Sequence, residues 1–200
     1  MKQIVVASSN TGKIKEIHHA LSEFPVTLLP QTQLGVTEVA EDGLSFVENA
    51  LIKARNAARQ TALPAMADDS GIVVPVLNGR PGMYSARFAG PGASDQQNIQ
   101  KLLNELAAKT NTDRRAYYYC ALVYVNNADD PMPIIALGKW SGTITSTPSG
   151  NGGFGYDPIF YVPQHACTAA ELAPEEKNRL SHRGQALASF VSQYREIYGE

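Results

Sequence analysis

The sequence predicts an α/β fold built on a mixed sheet. Three observations lead there. The first third alternates strand-like and helix-like segments, the middle carries aromatic and β-branched runs at 116–125 and 134–140, and the end is helical. Strand–helix units followed by hairpin-like strands favour a mixed sheet over a purely doubly wound one.

The elements follow in order. Residues 3–7 (QIVVA) read as a short buried strand that runs through a polar loop into a helical pattern at 14–21. There Ile14, Ile17 and Leu21 share one face. Ser45 followed by Glu48 forms a capping box, and Val47, Ala50, Leu51, Ala54 and Ala58 repeat with helical period behind it. A strand is expected at 65–67, broken at Asp68-Asp69-Ser70-Gly71 and resumed at 72–77, with Pro75 marking an edge or a bulge. Residues 78–93 are rich in Gly and Pro and read as an irregular loop. Ser94 and Gln97 make a second capping box ahead of Ile99, Leu102, Leu103 and Leu106. The strand at 116–125 (AYYYCALVYV) turns through 126–133 into a partner at 134–140, and a further strand is expected at 142–147. After a glycine-dense loop at 149–158, a short strand falls at 159–162. Thr168 and Glu171 make a third capping box. Pro174 opens a short helix, and Ser181 caps the last one, whose apolar face is Leu187, Phe190, Val191, Tyr194 and Ile197.

Composition bounds the function. A chain of 200 residues suits one domain spanning 1–200, and a hydrophobic fraction of 44% with a formal net charge of −2 excludes intrinsic disorder. The same balance argues against a nucleic-acid binder, which carries a basic surplus. Two cysteines make neither a disulfide framework nor a cysteine zinc site, and reduced thiols are expected. The opening apolar run is too short for a secretory leader, and no stretch approaches the ~18 apolar residues of a membrane span. A cytoplasmic protein without a membrane partner is expected.

Several segments carry candidate chemistry. Ser8, Ser9, Asn10, Thr11, Gly12 and Lys13 join a strand to a helix start, where free N–H groups and the helix dipole suit phosphate. The other reading is an ordinary strand–helix loop with a surface lysine. It is not a Walker A loop, since the first glycine is missing and Ile14 stands where Ser or Thr belongs. The adjacent carboxylates of Asp68 and Asp69 repel each other, and a divalent cation offsets that repulsion. One of them could instead take a proton from water, or the pair could simply form a turn before Gly71. Glu41 and Asp42 add an acidic group to the same metal, or form an acidic surface turn. Residues 149–158 hold four glycines around Phe154, Tyr156 and Asp157. That density suits close approach to a ligand or a long hairpin loop, and the aromatics suit stacking on a base or core packing. Lys177, His182 and Arg183 place cations and donors near a helix start, which the macrodipole disfavours unless a ligand acceptor or solvent compensates.

Taken together, SSNTGK, GLSFVENALIKA, ADDSG, PGMYSARFAG, GGFGYDPIF and LSHRGQA occur in the order seen in the inosine/xanthosine triphosphate pyrophosphatases. The chain resembles that family from about residue 3 to residue 190. Ser9 stands where the family usually has glycine, and Ala40-Glu41-Asp42 where it often has two glutamates. The resemblance implies a homodimer of α/β fold, with a long twisted central sheet, flanking helices and two lobes around a central cleft. It implies Mg²⁺-dependent hydrolysis of noncanonical purine nucleoside triphosphates (ITP, dITP, XTP) to the monophosphate and pyrophosphate. It places residues 8–13 on the triphosphate, Asp69 as acid/base residue and metal ligand with Glu41, and Ser70 against substrate. Phe154, Gly155, Tyr156 and Asp157 would line the nucleoside site with Lys177, His182 and Arg183. The competing readings are a pyrophosphatase of modified or pyrimidine nucleotides and a nucleotide sensor without turnover.

Overall fold

Side-chain caps at Ser45 and Ser94 begin two helices where the sequence implies, whereas the first helix starts at Thr11 rather than at 14. In a computed structural model that describes residues 2–22, 24–110 and 113–198, β1 (Lys2–Val6) leads into α1 (Thr11–Ala20), whose N-cap is Asn10. The strand β2 (Val26–Pro30) follows; the sequence patterning does not signal it. Ser45 caps α2 (Phe46–Thr61) by accepting the Glu48 N–H. The Glu48 carboxylate accepts the Ser45 hydroxyl at 2.8 Å. Both halves of the Ser94/Gln97 box are made at the start of α3 (Asp95–Ala107).

Two strands run on where the sequence suggests breaks. β3 (Ala65–Val73) continues through Asp68, Asp69, Ser70 and Gly71. Its persistence at Gly71 reflects a close approach: a Cβ there would meet the Gly82 carbonyl and lie 2.6 Å from the Ser85 Oγ. The resumed strand expected at 72–77 ends early, and Pro75–Leu77 is a 3-10 turn. β4 (Arg115–Val125) is as expected, but β5 (Ile134–Ile144) is one strand rather than two. Its last residues pair antiparallel with β6 (Phe160–Val162), Thr143 opposite Tyr161 and Ile144 opposite Phe160. β6 pairs in turn with β7 (Cys167–Thr168). The Thr168/Glu171 pair closes a turn, with the Thr168 N–H donating to Glu171 at 2.7 Å, and no helix follows it directly. α4 (Pro174–Leu180) opens on its proline and α5 (His182–Tyr198) ends the chain's described part.

The sheet order is β2-β1-β3-β4-β5-β6-β7. Both β2 and β3 pair parallel with β1, as two strand–helix–strand crossovers require. The fold is therefore the mixed α/β arrangement expected, with antiparallel pairing at the β5–β7 end. The chain divides into two compact units. The first comprises Met1–Asp69, Cys120–Gly138 and His182–Glu200; the second comprises Ser70–Tyr119 and Lys139–Ser181. Each has its own core: Ile4, Val6, Ile17, Leu122, Tyr124, Phe190 and Tyr194 are buried in the first, and Ile72, Leu102, Tyr118, Trp140, Ile159 and Phe160 in the second. No described helix is long and apolar enough to cross a membrane.

Candidate active site

In the first unit the chemistry gathers on β3. Successive side chains of a strand point to opposite faces, so adjacent Asp68 and Asp69 meet different neighbours. Lys13, in the first turn of α1, brings its Nζ to 2.9 Å from Asp68. Arg183, second residue of α5 and only 2% exposed, brings its Nε within 3.4 Å of the same carboxylate. Glu16, three residues beyond Lys13 on α1, pairs with the other side of that guanidinium. Burial alone would push Asp68 up, but Lys13, Arg183 and Lys53 outweigh it and hold the carboxyl well below the ordinary range.

Asp69 faces a thinner supply of charge. Lys53 of α2 lies 3.3 Å from its Oδ1 and also 3.3 Å from Glu41, so one ammonium serves two carboxylates. Asn49, one helical turn before Lys53, directs its side-chain amide to Asp69 at 3.4 Å while its carbonyl oxygen accepts the Gly43 N–H at 2.9 Å. That second bond ties the Glu41–Gly43 segment to α2. Burial raises the Asp69 carboxyl above its ordinary value, Glu41 and Asp68 add to the rise, and Lys53 and Lys13 only partly offset it. Burial would lower the Lys53 ammonium, but Asp69, Asp68 and Glu41 raise it. Cys120, buried on β4, is pushed up to about 12 by burial and by Asp68.

The loop before α1 differs from expectation. Asn10 accepts the N–H groups of Gly12 and Lys13, and Ser8 accepts that of Asn10. Those three donors are therefore engaged within the segment rather than presented together to an anion. Ser9 and Thr11 are exposed, Ser70 is half-buried in β3, and His182 is buried at the start of α5.

The second unit carries its own polar cluster. Asp157, buried, accepts from the Tyr118 hydroxyl at 3.1 Å, from the Phe154 N–H at 2.9 Å and from the Lys177 ammonium at 2.6 Å. The Lys177 Nζ stands 4.8 Å from the Phe154 ring centre. Gly153 has φ +72°, and a Cβ there would collide with the Asp157 carboxylate and lie 2.9 Å from the Lys177 Nζ. The two aromatics part company. Phe154 is 39% exposed, whereas Tyr156 belongs to the core and donates its hydroxyl to the Ser85 carbonyl at 2.8 Å. Of the two rings, Phe154 is the one left exposed, and Tyr156 packs in the core.

The family model of the Ham1 family matches residues 4–193. The chain belongs to the Ham1 family. It is 54% identical over 187 residues to the dITP/XTP pyrophosphatase of Salmonella paratyphi A, covering 94% of this chain and 95% of that protein. It is 50% identical over 195 residues to the dITP/XTP pyrophosphatase of Photorhabdus laumondii, covering 98% of this chain and 99% of the relative. Among solved structures, a HAM1 protein from Coxiella burnetii matches with a TM-score of 0.94 at 49% identity, covering 98% of this chain and all of that one. The Ham1 protein of Staphylococcus aureus matches at 0.86 and 38% identity, with 98% and 99% of the two chains covered.

Within this Ham1 chain, residue-by-residue reading missed Lys53, Asn49 and Glu16. Their signal was present but weak: Asn49 and Lys53 are four apart on one helix face, as are side chains meant to meet one target. Among the described residues no three His, Cys, Asp or Glu side chains gather as a metal-binding group. The acidic set that converges is the pair Glu41 and Asp69, bridged by Lys53.

Proposed function

We propose that the protein hydrolyses noncanonical purine nucleoside triphosphates, dITP, ITP and XTP, to the monophosphate and pyrophosphate. The observation that carries the chemistry is the split between two adjacent buried carboxylates. Asp68 pairs directly with two cations, Lys13 and Arg183, while Asp69 shares the Lys53 ammonium with Glu41. Environments that push two carboxyls apart in this way assign the acid/base role to the raised member. Asp69 takes the proton from a water that attacks the α-phosphorus, and pyrophosphate leaves with the electron pair of the α–β bridging bond. Lys13 and Lys53 neutralise charge on the phosphate oxygens, and Ser70, beside Asp69 in β3, contacts substrate. Asn10, which anchors residues 8–13 around the start of α1, keeps Lys13 at that helix end.

The donor set fits Mg²⁺. That ion is commonly held by one or two carboxylates together with substrate phosphates, and Glu41 and Asp69, both 3.3 Å from the Lys53 ammonium, would hold it. Mg²⁺ bound by this pair supplies charge neutralisation of the triphosphate. Arg183 holds Asp68 in place, and the reading of a purine 6-oxo acceptor is assigned to the donors of His182 and Arg183. In the second unit Phe154 offers its face to a base, with Gly155, Asp157 and Lys177 shaping the loop around it. The resemblance and the exposed Ile135 and Leu137 on β5 support a homodimer. Two free cysteines fit a reducing, cytoplasmic setting.

The test is direct. Incubate the protein with Mg²⁺ and dITP, ITP, XTP, ATP, UTP or dTTP, and separate the products. The expected result is monophosphate plus pyrophosphate from the first three, with ATP, UTP and dTTP far slower. Orthophosphate release, preference for pyrimidines, or nucleotide binding without turnover overturns the proposal.

A further inference from the structure

We infer that Asp95 is a positioning residue for the Phe154 ring, acting through the backbone of the glycine-rich loop. This rests on the reading of Phe154 as a base-contacting side chain. Asp95 opens α3 at its first helical position, where a carboxylate is ordinarily explained by the helix dipole alone. Here it does something more specific. Its Oδ2 accepts the N–H of Gly155 at 2.7 Å, sixty residues away along the chain. The preceding amide, that of Phe154, is accepted by Asp157 at 2.9 Å.

Two carboxylates from different elements thus hold the two successive N–H groups that flank the Phe154 side chain. One side of this clamp, Asp157, is itself fixed by Tyr118 and Lys177. The other, Asp95, is fixed by α3, whose start is locked by the Ser94/Gln97 box. The next residue, Tyr156, is anchored by its hydroxyl to the Ser85 carbonyl. The ring is 39% exposed and lies 4.8 Å from the Lys177 Nζ, and the clamped backbone beneath it fixes the direction in which the side chain leaves the chain. Hydrogen bonds from N–H groups to carboxylates are charge-assisted and stronger than neutral ones, so the two together restrain that backbone. A ring preset in this way lowers the ordering penalty of binding a base, which shows in KM rather than in the chemical step.

The experiment compares Asp95→Ala, Asp95→Asn, Phe154→Ala and the Asp95→Ala/Phe154→Ala double variant for dITP hydrolysis with Mg²⁺. Hydrogen exchange of the Gly155 amide is followed by NMR in the single Asp95 variants. Loss of one such bond should raise KM about tenfold in Asp95→Ala with kcat changed by no more than about twofold. Asp95→Asn keeps an acceptor oxygen and restores KM and the slow exchange of Gly155. In the Phe154→Ala background the Asp95→Ala change adds nothing to KM, as expected for two residues acting as one unit. A helix-dipole role alone lowers thermal stability in both Asp95 variants and leaves KM untouched, and that pattern overturns the inference. So does an equal KM loss in Asp95→Asn, or full additivity with Phe154→Ala. If the wild-type protein releases no pyrophosphate from dITP, it is the functional reading that fails. Exchange at Gly155 then decides the clamp by itself, and an unchanged rate in Asp95→Ala overturns it.

Discussion

Asp68 and Asp69 are neighbours in β3 and both are buried, yet the two faces of the strand treat them differently. On one face Lys13 and Arg183 converge on Asp68, and Glu16 anchors the guanidinium from behind. On the other, Lys53 divides itself between Asp69 and Glu41, and a neutral amide supplies the remaining contact. On the first face two cations stand against two carboxylates, Asp68 and Glu16. The second holds more negative charge than positive, which suits binding a cation and taking up a proton. Identical side chains one residue apart thus differ in how readily they give up their charge, through the cations each one meets.

The sharpest way to break this contrast is to neutralise each carboxyl in turn. Asp69→Asn should keep the fold and lower turnover by about 10³-fold, within the span of a removed general base. Pyrophosphate release and circular dichroism read the two effects. Asp68→Asn should do the reverse in emphasis. It leaves Arg183 and Lys13 facing a neutral amide, and a broken buried pair costs about 3–5 kcal/mol of stability, measurable by denaturant unfolding. Near-normal turnover in Asp69→Asn, or unaltered stability in Asp68→Asn, would dissolve the distinction.

Arg183→Ala probes the first face from its other end. If the guanidinium reads the purine oxo group, the ITP/ATP rate ratio narrows; if it serves only Asp68, both rates fall together and the ratio stands. The expected outcome is a narrowed ratio together with a lower melting temperature.

Two smaller, pH-dependent effects sharpen the picture. Lys53→Met removes the cation paired with Asp69 among the described residues and should move the acid limb of kcat/KM upward by about one pH unit, since an opposite charge at that range favours ionisation. The sign follows from the base having to be ionised: activity is lost as pH falls through the Asp69 value in the folded protein. Stability carries the opposite mark of Asp68. Its folded carboxyl titrates below the unfolded value of about 3.9, so its contribution is complete above that pH and is lost as pH falls below it. The stability gap between wild type and Asp68→Asn should therefore shrink below about pH 4, as followed by unfolding at stepped pH.

Much of the fold was legible because its signals are local. An Ser94 side chain reaches only three residues ahead to make its box with Gln97, and α3 begins where the pattern says. The same holds for the cap at Ser45 and for Pro174 at the head of α4. Breaks were misread where distant chain decides. Asp-Asp-Ser-Gly has poor strand propensity, yet β3 runs through it, with Gly82 and Ser85 packed against Gly71 and Ser85 accepting the Ile72 N–H at 2.9 Å. β5 passes through Gly142 because β6 pairs with its end. The Thr168/Glu171 spacing is that of a helix start, but the two side chains bond across a turn instead.

For this Ham1-family protein the sequence by itself determined most element types, the helix starts at Ser45, Ser94 and Pro174, and the presence of Lys13, Asp68, Asp69, Phe154, Asp157, Lys177 and Arg183 in motifs of fixed order. Caps, periodicity and motif spacing act over a few residues, so one chain suffices to read them. Only the tertiary structure decided which cations each of the two carboxyls meets, that Lys53 and Asn49 stand beside Asp69, and that Phe154 rather than Tyr156 is left exposed. Those outcomes depend on burial and on charges brought together from residues far apart in the chain, and electrostatic energy follows distance in space rather than position in sequence.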